Sequence, residues 1–213
     1  MTTAAKICGI TTPDALDAAV KAGAAHVGFV FFPPSPRSIT TEEAAILAAR
    51  LPVDVNAVGL FVDPDDGLID RVLEAVPLDI IQLHGKESPE RVAAIKARTG
   101  RAVMKAVHIR EAEDLEQVPA YEEVSDWILF DAKPPKDAKL PGGNAVAFDW
   151  TLLENQRWRR PWMLAGGLTP DNVVTAIRLT GAPCVDTSSG VEDAPGQKSP
   201  HKIQLFLEKV KSI

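Results

Sequence analysis

Short runs rich in Val, Ile and Phe recur along this 213-residue chain, and an amphipathic stretch of helical period follows each of them. That alternation is the pattern of repeated strand-helix units feeding a parallel sheet. It predicts strands near 5–9, 25–31, 56–61, 79–83, 102–107, 127–131, 161–165 and 183–187. Helices are predicted near 13–22, 41–50, 66–75, 89–98, 111–117, 149–155, 170–179 and 200–211. Several helix starts carry a hydroxyl or Pro-acid signal, as at Thr12-Pro13-Asp14, Thr40 before Glu42 and Glu43, Ser88-Pro89-Glu90 and Thr169-Pro170-Asp171.

Eight such units match a (β/α)8 TIM barrel, an α/β fold in which the carboxyl ends of all strands converge on one face. The chain is compact for that fold, whose usual length is about 250 residues. No linker rich in Gly, Ser or Pro divides it, so a single domain over 1–213 is expected. The alternative, an open doubly wound sheet, calls for a Gly-rich dinucleotide turn after the first strand, which Cys8-Gly9-Ile10-Thr11-Thr12 does not supply.

Charge and cysteine usage narrow the function classes. A net charge of -6 with scattered Lys and Arg argues against nucleic acid as a partner, leaving a small molecule. Cys8 and Cys184 stand far apart in the chain, with no Cys or His nearby at ligand spacing, so neither a disulfide framework nor a metal site is expected. The first residues lack the apolar core of a signal peptide and no apolar run reaches membrane-spanning length, which points to a cytoplasmic protein with no membrane partner. The pattern is compatible with a monomer or a homodimer.

The strand ends then give a candidate active face. Strand 1 ends on Cys8, a thiol or simply a small buried residue. The loop after strand 2 carries Arg37 behind stiffening prolines, either to fork onto a carboxylate or to sit in solvent. Asp63 follows strand 3, Gln82 and His84 end strand 4, and Lys105 and His108 end strand 5. Asp131 lies directly behind the apolar run Trp127-Ile128-Leu129-Phe130. Partial desolvation would raise its pKa toward that of a proton donor, whereas a salt bridge to Lys133 or Lys105 would lower it. Gly166 and Gly167 after strand 7, with Ser188, Ser189 and Gly190 after strand 8, occupy the usual phosphate position of such barrels. Taken singly, each segment also reads as a tight turn or a helix cap.

These residues fall in motifs. Lys6-Ile7-Cys8-Gly9-Ile10-Thr11, Gly28-Phe29-Val30-Phe31 with Ser35-Pro36-Arg37, Gln82-Leu83-His84-Gly85, Phe148-Asp149-Trp150, Leu164-Ala165-Gly166-Gly167-Leu168 and Asp186-Thr187-Ser188-Ser189-Gly190-Val191-Glu192 together resemble the phosphoribosylanthranilate isomerase family. The resemblance implies an Amadori rearrangement of N-(5-phosphoribosyl)anthranilate in tryptophan biosynthesis, without a cofactor. It implies that Cys8 is the general base and Asp131 the general acid. Arg37 would bind the anthranilate carboxylate, with Gln82, His84 and Asp186 in the substrate-binding set and Gly166, Gly167, Ser188, Ser189 and Gly190 on the phosphate. A related isomerase of the histidine pathway uses an aspartate where this chain has Cys8, and a non-catalytic phosphate binder would not need both Cys8 and Asp131. One departure from the family pattern is Gly142-Gly143-Asn144-Ala145, where a second flexible Gly position is lost. Residues 132–141, rich in Lys and Pro, are expected to form either a mobile cover or a plain solvated loop.

Overall fold

Eight parallel strands close into a barrel in strict chain order: β1 (Ala4–Cys8), β2 (His26–Val30), β3 (Asn56–Phe61), β4 (Ile80–Leu83), β5 (Ala102–Ile109), β6 (Trp127–Ala132), β7 (Trp162–Leu164) and β8 (Cys184–Thr187). The structure is a computed structural model that describes residues 3–134, 142–143 and 147–213. The expected cover over 132–141 and the departure at Asn144 and Ala145 lie largely outside the described residues.

The helices around the barrel are α1 (Pro13–Lys21), α2 (Thr41–Ala48), α3 (Asp66–Ala75), α4 (Pro89–Thr99), α5 (Val118–Val124), α6 (Val173–Thr180) and α7 (Pro200–Lys211). Their starts follow side-chain chemistry. Thr12 accepts the Ala15 N–H, Ser88 accepts that of Arg91, and Thr40 and Glu43 cap each other reciprocally.

Three predicted helices differ from expectation. The stretch 111–117 is a 3-10 segment, Ala112–Gln117, and the α-helix begins only at Val118, where Pro119 is tolerated in the first turn. The stretch 149–155 makes one 3-10 turn, Trp150–Leu153, capped by Asp149, and Asn155 in the left-handed region prevents its continuation. At 170–179 the helix starts late, because the Asn172 side chain accepts the Thr169 N–H and donates to the Gly167 carbonyl. One addition was not predicted: a hairpin of β9 (Glu192–Ala194) and β10 (Gln197–Lys198) after β8.

Alternation along the strands divides the core in two. Val58, Ile80, Met104, Ala106, Leu129, Met163 and Cys184 pack with one another inside the barrel, while Ile7, Val27, Phe29, Ile81, Val103 and Phe130 pack outward against the helices. The interior also holds polar groups. Lys6 is fully buried beside Asp186, and His26 lies edge-on to Trp127 with ring centroids 5.7 Å apart. Burial, assisted by the Lys6 charge, pulls the His26 pKa from 6.5 down to about 4.

The depressed value has a defined consequence. Between pH 6.5 and about 4 the unfolded chain binds a proton at His26 that the folded protein refuses, so stability present above pH 6.5 is lost as pH falls. The loss should approach ~3 kcal/mol. Urea unfolding across that window should show it in the wild type and not in His26→Gln.

Candidate active site

The carboxyl ends of the strands surround an open cleft of about 820 Å3, within the range of small-molecule sites. Cys8, Arg37, Gln82, His84, Asp131, Gly166, Gly167, Asp186, Ser188 and Ser189 all line it. Gly190 does not. A side chain at Gly190 would run into the Leu168 carbonyl oxygen, so this glycine lets the loop after β8 press against the loop after β7. Thr187 Oγ1 donates to the same carbonyl at 2.7 Å.

One wall holds a three-membered chain. Gln82 Nε2 lies 3.0 Å from His84 Nδ1, and His84 Nε2 lies 3.1 Å from Asp131 Oδ2. An amide nitrogen can only donate, so Nδ1 accepts, and Nε2 carries the proton it donates to Asp131. Asp131 Oδ1 accepts the Ala132 N–H at 2.8 Å. Burial pushes the Asp131 pKa up, but the His84 hydrogen bond and the His84 and His108 rings outweigh it and hold the carboxyl below its ordinary value. Asp131 is therefore a carboxylate in the empty cleft.

Neither lysine considered as a partner for Asp131 reaches it. Lys133 pairs with Asp114 at 2.7 Å. Lys105 points out of the barrel, where it pairs with buried Glu87 at 2.7 Å, so its expected place on the active face is corrected. Asp63 also serves the scaffold: its side chain accepts the Lys86 N–H and its own N–H donates to Glu87.

His84, His108 and Asp131 place ligand-type atoms within 4.8 Å of one another. The expectation that no such set converges rests on spacing along the chain, and barrel closure brings β4, β5 and β6 side by side. The His84 to Asp131 hydrogen bond occupies two of these donors in the described state.

On the opposite wall, burial is the dominant influence on Cys8 and pushes its thiol pKa up. The ammonium groups of Lys6 and Lys198 pull the other way without reversing it, and Asp186 adds to the rise. Cys8 is a thiol in the empty cleft. Asp186 is likewise raised by burial despite Lys6, whose Nζ lies 3.1 Å from Oδ1.

The third region is built for an anion. Gly166 and Gly167 both have positive φ, +84° and +65°, which bends the backbone into a nest. A Cβ at Gly166 would stand 2.8 Å from the Ala132 nitrogen, so only glycine fits. Among the described residues, the N–H groups of Gly167, Leu168 and Ser188 have no protein acceptor. Ser188 is fixed by its own hydrogen bond to the Cys8 carbonyl at 3.0 Å, and Lys198 Nζ donates to its carbonyl at 3.1 Å.

Arg37 is buried, and Glu192 already holds it in a fork, Nε to Oε1 at 2.7 Å and Nη2 to Oε2 at 2.9 Å. Glu192 also pairs closely with Lys198. The guanidinium edge around Nη1 stays available to the cleft beside Gly143. Glu192, Lys198 and Lys6 received no role from sequence. For Lys6 a signal was present, since its spacing of two from Cys8 puts both on one strand face.

This arrangement, a parallel barrel with a thiol, a carboxylate and an anion nest around one cleft, defines a barrel enzyme for a small phosphorylated substrate. Comparison with known proteins gives the particular family. The profile described as N-(5'-phosphoribosyl)anthranilate (PRA) isomerase matches residues 5–209. An N-(5'-phosphoribosyl)anthranilate isomerase of Paracoccus denitrificans is 59% identical over 97% of this chain and 96% of its own. Among solved structures, monomers generated from the dimeric enzyme of Thermotoga maritima are 38% identical, with a TM-score of 0.85 over 99% of this chain and 100% of theirs. A family structure in complex with reduced 1-(o-carboxyphenylamino)-1-deoxyribulose 5-phosphate is 36% identical, with a TM-score of 0.84 over 99% and 100%. The chain belongs to the PRA isomerase family. Its reaction is the conversion of N-(5'-phosphoribosyl)anthranilate to 1-(2-carboxyphenylamino)-1-deoxyribulose 5-phosphate in tryptophan biosynthesis. No described helix is long and apolar enough to cross a membrane.

Proposed function

We propose that Asp131 and Cys8 perform this rearrangement as general acid and general base from the two walls of one cleft, the observation that carries the reading. Protonated Asp131 gives its proton to the furanose ring oxygen as the C1–O bond breaks, and the anthranilate nitrogen supplies the electron pair that forms a protonated Schiff base. The Cys8 thiolate then removes the proton from C2, and the C2–H electrons form a C1–C2 double bond while the iminium is neutralised. Tautomerisation of the resulting enol places the carbonyl at C2. The proton inventory balances without any redox step or cofactor.

The empty cleft holds the opposite distribution, with a proton on Cys8 and a carboxylate at Asp131. The substrate supplies the driving force for exchange. Its phosphate carries about -1.5 to -2 charge and its carboxylate -1, which favours protonation of Asp131. The iminium formed on ring opening is a cation beside the thiol, which favours the thiolate.

The remaining roles follow from position. Arg37 offers its free edge to the anthranilate carboxylate while Glu192 holds the other edge. The nest of Gly166 and Gly167, with Ser188 and Ser189, receives the phosphate. Gly190 shapes that nest through its contact with Leu168. Gln82 and His84 orient Asp131, and Asp186 faces a ribose hydroxyl. We read the whole chain as one cytoplasmic domain. All residues named here belong to one chain, so a monomer suffices for activity whether or not two copies associate.

Cys8→Ala tests the reading. It should lower kcat for phosphoribosylanthranilate about 10²-fold while leaving affinity for the reduced product analogue within a few-fold. Full turnover by the folded variant would remove Cys8 from the mechanism.

A further inference from the structure

Lys6 is the most deeply buried ammonium in the cleft's floor, and the rearrangement as described gives it no task. It lies two residues before Cys8 on the inward face of β1 and directly opposite Asp186 of β8 in the sheet register. A Cβ at Gly28, the partner of Cys8 on β2, would stand 2.9 Å from Cys8 Sγ and 3.3 Å from Lys6 Cε. The missing side chain at Gly28 is thus the space that Lys6 and Cys8 share.

The bonding of the ammonium is incomplete. Lys6 Nζ and Asp186 Oδ1 are 3.1 Å apart, yet neither atom has an aligned hydrogen-bond partner among the described residues. Such a group has N–H bonds still to satisfy, and leaving them unmet in a barrel interior is costly. The other cations near the thiol are committed elsewhere: Lys198 to Glu192 and Ser188, and Arg37 to Glu192. Across the cleft, His84 and Asp131 are bonded to each other.

We propose that Lys6 is a positioning residue for catalysis, whose buried ammonium is the counter-ion of the Cys8 thiolate, with Asp186 competing for the same positive charge. The proposal rests on Cys8 being the general base. It explains why a lysine is retained at full burial: an ammonium balanced by Asp186 alone makes a neutral pair, and it gains its remaining bonds when Cys8 ionises. When Asp186 turns to a substrate hydroxyl, the charge of Lys6 is released toward the thiolate. The electrostatic influences on Cys8 agree in sign, Lys6 lowering and Asp186 raising its pKa.

The test is iodoacetamide alkylation of Cys8 in the folded full-length protein across pH, read by peptide mass mapping and scaled to the high-pH plateau to remove differences in access. Lys6→Met should shift the alkylation midpoint upward and slow the reaction about tenfold or more near neutral pH, with kcat falling in parallel and KM moving less. Asp186→Asn should shift the midpoint downward. Midpoints that stay in place, or that move in the same direction in both variants, overturn the proposal. If Lys6→Met does not fold, the downward shift in Asp186→Asn decides it alone. A midpoint that moves in Lys6→Met while kcat stays constant would uphold the charge pairing and instead remove Cys8 as the base.

Discussion

Asp131→Asn should lower kcat for phosphoribosylanthranilate by 10³- to 10⁴-fold, the upper range for loss of a positioned proton donor. The amide keeps the volume of the carboxyl but has no proton of suitable acidity for the ring oxygen, so the first bond fails to break. A second loss comes from the wall behind it. His84 Nε2 donates to Asp131 Oδ2, and Gln82 Nε2 sets the tautomer by donating to Nδ1. The substituted amide can preserve that bond only by turning its oxygen to His84, which points its NH2 group toward the Ala132 N–H that Asp131 Oδ1 now accepts. Donor would then face donor. The measurement is steady-state turnover together with binding of the reduced product analogue. A large fall in kcat with analogue affinity retained supports the acid role, and wild-type kcat in a folded variant would refute it. The pH profile adds a second readout. Because the empty cleft favours the carboxylate at Asp131 and the thiol at Cys8, the acidic limb of kcat/KM should report Asp131 and the alkaline limb Cys8, with only the minor, reversed distribution reactive.

That much of the cleft was legible because strand ends in a parallel barrel are ordered along the chain. Cys8, Asp131 and the Gly166-Gly167 turn each close a short apolar run, so their arrival on one face follows from the strands alone. What could not be read was the side of the sheet. Parallel strands are buried on both faces and read as continuous apolar runs, so Val103-Met104-Lys105-Ala106-Val107 gives no indication that Lys105 points outward. Convergence across strands was equally hidden: His84, His108 and Asp131 are remote in sequence and meet only through the β4-β5-β6 neighbourhood. The hairpin bearing Glu192 and Lys198 has strands of three and two residues, too short to show a period, and its charges are explained only by Arg37. Helix starts were readable where a hydroxyl capped a Pro-led turn and misplaced where an asparagine side chain competed for the backbone.

The largest loss of stability should come from Glu87→Ala, which lies outside the cleft and supports it from behind. Glu87 accepts the Asp63 N–H at 2.9 Å and the Gly85 N–H at 3.0 Å, and it pairs with Lys105 Nζ at 2.7 Å. Lys105 completes the knot by donating to the Gly85 carbonyl at 2.8 Å, and Tyr121 Oη donates to the Glu87 carbonyl at 3.0 Å. Removing the carboxylate leaves two loop N–H groups unbonded and an ammonium buried without its counter-charge, an effect of about 3–5 kcal/mol. For a chain of this size that is a fall of roughly 6–20 °C in Tm. Burial already lowers the Lys105 pKa against the pull of Glu87, and without Glu87 it should fall further. The folded state then binds fewer protons than the unfolded one between that lowered value and the ordinary lysine value, so the variant should regain stability as pH rises through this window. Replacing both partners, as in Glu87→Leu with Lys105→Met, should recover much of the loss, because no buried charge is left unpaired. Calorimetry of the three variants against pH separates these outcomes, and a Glu87→Ala protein as stable as the wild type would show that the pair contributes nothing net. The same knot fixes the segment from Leu83 to Glu87 that carries His84. Glu87→Ala should therefore also weaken the His84 to Asp131 bond, and its kcat should fall below that of the double variant measured at equal folded fraction.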